Sequence, residues 1–296
     1  MGSFLNVVIH RLPVMLDRQW RAQAEEILGA GETVAQPGQP PVSAATVGQP
    51  AGPAANAQQP YNLIVPRSAC PHCGTEIKTH QNIPVLSYLL LGGRCANCRA
   101  RISPRYPVVE LGTAILSAAV VWRYGWEWQS AAALVFTWAL VALTVIDLDH
   151  QVLPDVITLP LMWLGLLLSL VWQPGPALAI PVDPWSAIIG AAAGYLSLWL
   201  VYWAFKLLTG KEGMGYGDFK LFAAFGAWMG WQMLPLVILL SAFTGAAIGI
   251  LLIALRGRDR NIPIPFGPYL AAAGWIALMW GPQIVGGYLH LAGLDR

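Results

Sequence analysis

Charged side chains are scarce in this chain: Lys, Arg, Asp and Glu make up 11% of its 296 residues, against about 25% in a soluble domain. Beside 56% hydrophobic residues, that scarcity excludes an ordinary water-soluble globule and places the chain in a membrane. A strong charge of either sign is missing too. The net charge of +2 offers little to a polyelectrolyte, so no nucleic-acid partner is expected. Near the N-terminus no basic stretch, apolar core and small-residue site follow in order, so a cleaved signal peptide is not expected. No glycine-rich cofactor fingerprint occurs. Cysteine is absent outside residues 70–98.

What is present is a series of apolar runs. Candidate spans cover about 107–124, 130–147, 156–173, 185–208, 215–231, 233–255 and 267–289. Each approaches the ~17–25 residues that cross hydrocarbon. The weakest is 215–231, whose continuous apolar part begins only at Leu221. The fold class expected is an all-α polytopic membrane protein of about seven transmembrane helices. Ser3–Leu12 reads as the end of a span that is too short to be a whole one, and residues 17–28 as a short amphipathic helix with Trp20, Ala24, Ile27 and Leu28 on one side. Basic residues sort the loops, because Lys and Arg accumulate on the cytoplasmic side. If all seven spans cross, every Lys and Arg except Arg123 and Arg296 falls on that one side. A re-entrant 215–231 breaks this parity.

Residues 14–106 form a polar insert on the cytoplasmic side. Its stretch 36–60 is rich in Pro, Gly, Ala and Gln, carries no charge and reads as a flexible linker. Cys70-Pro-His-Cys73 and Cys95-Ala-Asn-Cys98 are paired C-x2-C knuckles, and such pairs fit tetrahedral zinc. Two disulfides are the competing reading, disfavoured by a reducing cytoplasm. Four thiolates leave no open position, so the zinc is expected to be structural. His72 and His80 read as solvated neighbours. The insert is net basic, and Arg94, Arg99, Arg101 and Arg105 are expected to meet anionic membrane lipids.

Two carboxylates sit at membrane boundaries. Asp147 ends the run Ser130–Ile146, and Asp218 follows Gly215-Tyr216-Gly217. A carboxylate there is costly and marks a functional site. Topology puts both on the cytoplasmic side. A pair sharing one proton can activate water with one member and polarise a carbonyl with the other. Asp218 also reads as a helix cap, a role compatible with catalysis. Asp155 reads as the cap of the next helix, and Asp149, two positions from Asp147, lies off its face. Gly215 and Gly217 let the backbone bend and approach a partner closely.

These residues resemble the bacterial type IV prepilin peptidases, membrane-embedded aspartic proteases of the GxGD kind. The resemblance covers almost the whole chain. It runs from Gly2-Ser-Phe-Leu-Asn through Pro13, the knuckles Cys70 to Cys98, Ile146-Asp147 with Leu153-Pro154-Asp155, and Gly210 to Lys220, to Pro263-Ile-Pro-Phe-Gly-Pro-Tyr269. It implies Asp147 and Asp218 as the catalytic pair. It implies cleavage of the basic leader of prepilins and type II secretion pseudopilins, followed by N-methylation of the new N-terminus with S-adenosylmethionine. It assigns no residue in this chain to that cofactor; Gly92-Gly93, before the second knuckle, is only a candidate region. It implies eight helices, of which residues 1–13 are the remnant of the first and 107–296 are the peptidase domain. It places the protein in the bacterial inner membrane. The alternatives are another GxGD intramembrane protease, a proton-coupled transporter, or a non-catalytic scaffold on the four-cysteine insert.

Overall fold

Helix follows helix along the chain, as expected where lipid offers backbone groups no partner and each segment must satisfy its own. The computed structural model describes residues 1–32, 61–70, 72–77, 84–171, 182–256 and 265–293. The expected linker 36–60, His80, Arg258, Arg260 and the start of the Pro263–Tyr269 motif lie outside these. No strand forms among the described residues. The elements are α1 (Gly2–Glu32), α2 (Pro84–Leu90), α3 (Arg105–Tyr124), α4 (Trp128–His150), α5 (Asp155–Ser169), α6 (Pro184–Thr209), α7 (Tyr216–Met229), α8 (Leu234–Arg256) and α9 (Gly267–Leu291), with a 3-10 turn at Trp231–Met233 before α8.

The chain divides into two compact units, one made of Met1–Ile9 with Pro104–Arg296 and the other of His10–Ser103. In the larger unit, α7 is the hub. From Asp218 to Gly230 every residue except Lys220 is buried. Small residues let its neighbours approach. On α6, Gly190 lies backbone to backbone with Gly226, and a methyl group on Gly194 would sit 2.6 Å from the Phe222 carbonyl oxygen. On α5, Gly165 admits the Trp228 ring, whose Nε1 donates to the Leu161 carbonyl at 2.7 Å. On α9, Gly274 admits the ring of Phe225. Such small-residue contacts replace the hydrophobic driving force that lipid does not supply. Pro282 inside α9 lacks the N–H that the Leu278 carbonyl would accept, and Tyr124 donates its hydroxyl to that oxygen instead, at 2.8 Å.

Among the described residues, three helical stretches are long and apolar enough to cross a membrane: Trp128–His150, Pro184–Thr209 and Trp231–Leu252. The spans expected at 156–173 and 215–231 become shorter helices, α5 with 15 residues and α7 with 14. Pro154 and Gly215 set their starts, and Gly230 with φ +77° stops α7. Ser3–Leu12 and 17–28 belong to one helix, α1, which runs through Pro13. The face carrying Trp20, Ile27 and Leu28 is exposed and packs on nothing described.

In the smaller unit, Arg11 is buried and gathers the chain around itself. Its guanidinium donates to the carbonyl oxygens of Asn62 at 3.0 Å and Pro66 at 2.5 Å. Arg18 lies over the ring of Tyr61, 4.4 Å from its centroid.

Candidate functional site

Asp147 lies near the C-terminal end of α4, where Gln151 in a left-handed conformation closes the helix on the Asp147 carbonyl at 2.9 Å. Asp218 lies in the first turn of α7, after Gly215 at the N-cap. The two side chains are both buried. Leu153 touches both the Gly217 backbone beside Asp218 and Gly267, which lies against Asp147, so the two carboxylates share one neighbourhood. Among the described residues only three buried side-chain oxygen or nitrogen atoms have no hydrogen-bond partner: Ser130 Oγ, Asp147 Oδ2 and Asp218 Oδ1. Leaving such an atom unpaired costs about 1–3 kcal/mol, more for a charged group. Two of the three are the carboxylates of one site, and unpaired groups of this kind call for a functional reason.

The surroundings explain how two carboxylates are held there. The N-terminus of α9 closes on Asp147. The backbone amide of Gly267 faces its carboxylate, and a methyl group on Gly267 would lie 2.6 Å from Oδ2 and 3.0 Å from Cγ. Gly267 is a site residue that the sequence reading missed; the Phe-Gly-Pro triplet was its only signal. Gly217 has a parallel role. A methyl group there would lie 2.6 Å from Leu153 Cβ. Neither glycine of the Gly215-Tyr-Gly217 triplet has a positive φ; the chain passes from extended backbone at Gly215 into α7, and the expected close approach is present at Gly217. At Gly215 a methyl group would find only Asp218 Oδ2 at 3.8 Å, an ordinary contact.

The other acidic residues are engaged elsewhere. Asp149 pairs with Arg105. Asp155 does not cap α5: Pro154 holds the N-cap position without a side-chain bond. Instead both Asp155 oxygens receive Lys220 Nζ, at 2.7 and 2.6 Å. Glu212 takes Lys206 Nζ at 2.8 Å, which ties the Gly210–Gly217 loop back to α6 and holds the Glu212 carboxyl below its usual range.

The second site lies in the smaller unit. The Sγ atoms of Cys70, Cys73, Cys95 and Cys98 all lie within 4.8 Å of one another. The two knuckles repeat one geometry. Gly74 N–H returns to the Cys70 carbonyl at 2.9 Å, and Arg99 N–H to the Cys95 carbonyl at 3.0 Å. Gly74 (φ +67°) and Arg99 (φ +57°) adopt the same left-handed conformation. Cys73 Sγ donates to Thr75 Oγ1 at 3.3 Å, and its contacts with the Thr75 side chain and backbone amide hold the thiol down, at about 6, whereas Cys98 is raised to about 11. The backbone amides of Cys98 and Asn97 lower Cys95 likewise. A Zn–S bond of about 2.3 Å puts tetrahedral sulfurs about 3.8 Å apart. Cys70 and Cys98 lie at that separation, 3.8 Å. The donor set therefore fits a tetrahedral, thiolate-binding metal. His72 is exposed and is no member of the cluster.

Gly92 and Gly93 have a structural explanation. Both take positive φ (+58° and +70°) to end α2, and the Gly93 amide returns to the Tyr88 carbonyl at 2.8 Å. A methyl group on Gly93 would lie 2.9 Å from the Tyr88 ring.

Comparison with known proteins places the chain in a family. Residues 1–124 match the family described as the bacterial peptidase A24 N-terminal domain, and residues 134–250 match the type IV leader peptidase family. A prepilin leader peptidase/N-methyltransferase of Pseudomonas aeruginosa is 53% identical over 292 residues, which is 99% of this chain and 91% of that protein. The protein of that name from Aeromonas hydrophila is 55% identical over 97% of this chain and 90% of its own length. That from Xanthomonas campestris is 47% identical over 99% and 92%. No solved structure matches the chain. With this identity sustained from end to end, and with both halves matched, the chain belongs to the type IV leader peptidase family.

Proposed function

We propose that this protein is a membrane aspartic peptidase that removes the basic leader of type IV prepilins and type II secretion pseudopilins, then N-methylates the new N-terminal residue. The observation that carries the peptidase reading is the pair of buried carboxylates, Asp147 and Asp218, each with an unpartnered oxygen. One takes a proton from a water molecule as that water attacks the scissile carbonyl. The other, protonated, donates to the carbonyl oxygen as it becomes tetrahedral. The Gly267 amide orients Asp147 for this. The relatives, each a prepilin leader peptidase/N-methyltransferase, support the prepilin substrate and the second activity. S-adenosylmethionine would supply the methyl group, and no residue is assigned to it.

Seven crossings agree with the distribution of Lys and Arg, which puts both aspartates at the cytoplasmic face of the inner membrane. At ~1.5 Å per residue α5 and α7 reach only about 21–22 Å of a ~30 Å hydrocarbon core. A helix enclosed by protein need not match lipid thickness, and α7 is enclosed by α5, α6 and α9. Residues 14–106 then form the cytoplasmic insert, with zinc on Cys70, Cys73, Cys95 and Cys98, and residues 107–296 the membrane peptidase domain. Arg94, Arg99 and Arg101 face anionic lipid headgroups. Arg105, paired with Asp149, has a second task at the membrane boundary.

The reading is tested by incubating purified protein with a prepilin and S-adenosylmethionine and weighing the product. Loss of the leader and gain of one methyl group support it; an intact prepilin rules it out. Gly267→Ala is expected to lower kcat for cleavage about 100-fold, because displacing a reacting group by about 1 Å costs that much. Gly286→Ala, where a methyl group meets nothing within 4 Å, is the control.

A further inference from the structure

Leu153 and Pro154 lie in the short connection between α4 and α5, and Asp155 opens α5; Leu153 packs at the site and Asp155 pairs with α7. Leu153 is buried. Its Cδ1 lies 3.4 Å from the position a methyl group would take on Gly217 and 3.3 Å from that on Gly267. One methyl group of Leu153 is therefore wedged between the backbone that carries Asp218 and the backbone that faces Asp147. Two residues on, Asp155 receives Lys220 Nζ on both carboxylate oxygens. Lys220 stands on α7, two positions after Asp218. Its side chain is 27% exposed, that of Asp155 52%.

We propose that this turn is a positioning latch: Leu153 sets the spacing between Asp147 and Asp218, and the Asp155–Lys220 ion pair holds the wedge against α7. The inference rests on the proposed peptidase reading. It differs from a capping role, since Asp155 makes no cap bond. It differs from a stability role as well, because ion pairs this exposed contribute little to folding. Lys220 reaching both oxygens gives the pair a defined geometry rather than a mere attraction. Without it, the start of α5 is free to move away from α7, and Leu153 moves with it. Neither Asp155 nor Lys220 needs to touch substrate for this. The effect then belongs in kcat, as a carboxylate misplaced by a fraction of an ångström slows the chemical step without weakening substrate binding.

The test uses the full-length protein in detergent with a purified prepilin. Asp155→Asn and Lys220→Gln are each expected to lower kcat by about tenfold or more, with KM within about twofold of the parent. The exchange D155K/K220D is expected to recover at least about fivefold over either of its single reversals, since the pair re-forms with its charges swapped. Leu153→Ala should lower kcat about as much, and Leu153→Met, which keeps the volume, should stay within about threefold of the parent. Leu153 variants decide the matter if the charge variants do not fold. Lys211→Gln, in the exposed loop, serves as the unchanged control. The latch is overturned if Asp155→Asn and Lys220→Gln both retain kcat within about twofold, if the exchange recovers nothing, or if Leu153→Ala cleaves like the parent. Failure of the unaltered protein to cleave prepilin strikes at the peptidase reading instead.

Discussion

Asp147→Asn and Asp218→Asn are each expected to reduce prepilin cleavage by about 10²–10⁴-fold, the usual contribution of a positioned acid or base. That corresponds to about 3–5 kcal/mol of lost transition-state stabilisation. Asparagine keeps the shape of aspartate but neither accepts a proton from water nor donates one as an acid. Both side chains are buried and each has an oxygen without a partner, so substitution removes no existing hydrogen bond from those oxygens. Replacing an unpaired buried carboxylate by a neutral amide is therefore expected to leave folding intact or improve it. The measurement is single-turnover cleavage beside a thermal melt. The double variant should be no slower than either single one, because the two act as a unit and their effects do not add. Near-normal turnover in either single variant contradicts the assignment. Asp149→Asn is the contrast. Its carboxylate pairs with Arg105 away from the dyad, and the loss should be a few-fold at most.

Removing the metal from the four-cysteine cluster is expected to unfold the segment around it. The smaller unit has no strand among its described residues, only isolated bridges Ala69–Glu76 and Arg94–Arg101 flanking the knuckles. Its largest described helices are the tail of α1 and the seven-residue α2. So little apolar core can form there that the cross-link through the cysteines has to hold the knuckles together. Structural zinc in comparable small folds supplies about 10–16 kcal/mol at pH 7. Cys70→Ser or Cys98→Ser should cut bound zinc well below one per chain and expose the 61–103 region to protease, while Asp147 and Asp218, in the other unit, keep their surroundings. Elemental analysis and limited proteolysis read both effects. A protein that carries no zinc and whose four thiols react freely in the native state would falsify the metal assignment.

Composition alone determined the environment of this chain, because too few charges leave no choice but lipid. Spacing pointed to the four-cysteine cluster: two C-x2-C knuckles each present a pair of sulfurs, and the structure brings all four together. The order of Asp147, the Leu-Pro-Asp turn, the GxGD segment and the cysteines determined the family, since those motifs follow one another along a single chain. Hydropathy could not tell a helix that meets lipid from one enclosed by other helices. α7 is apolar yet only 14 residues long: Gly215 and Gly230 set its ends, and burial by its neighbours frees it from matching the lipid thickness. Likewise Asp155 looked like a cap because it precedes a helix, but Pro154 takes the N-cap place and Lys220, 65 positions away, takes the carboxylate. The role of Gly267 was invisible for the same reason. A glycine's need for space is a property of what approaches it, and Asp147 approaches from 120 positions earlier in the chain, a meeting that only the packing of α4 against α9 decides.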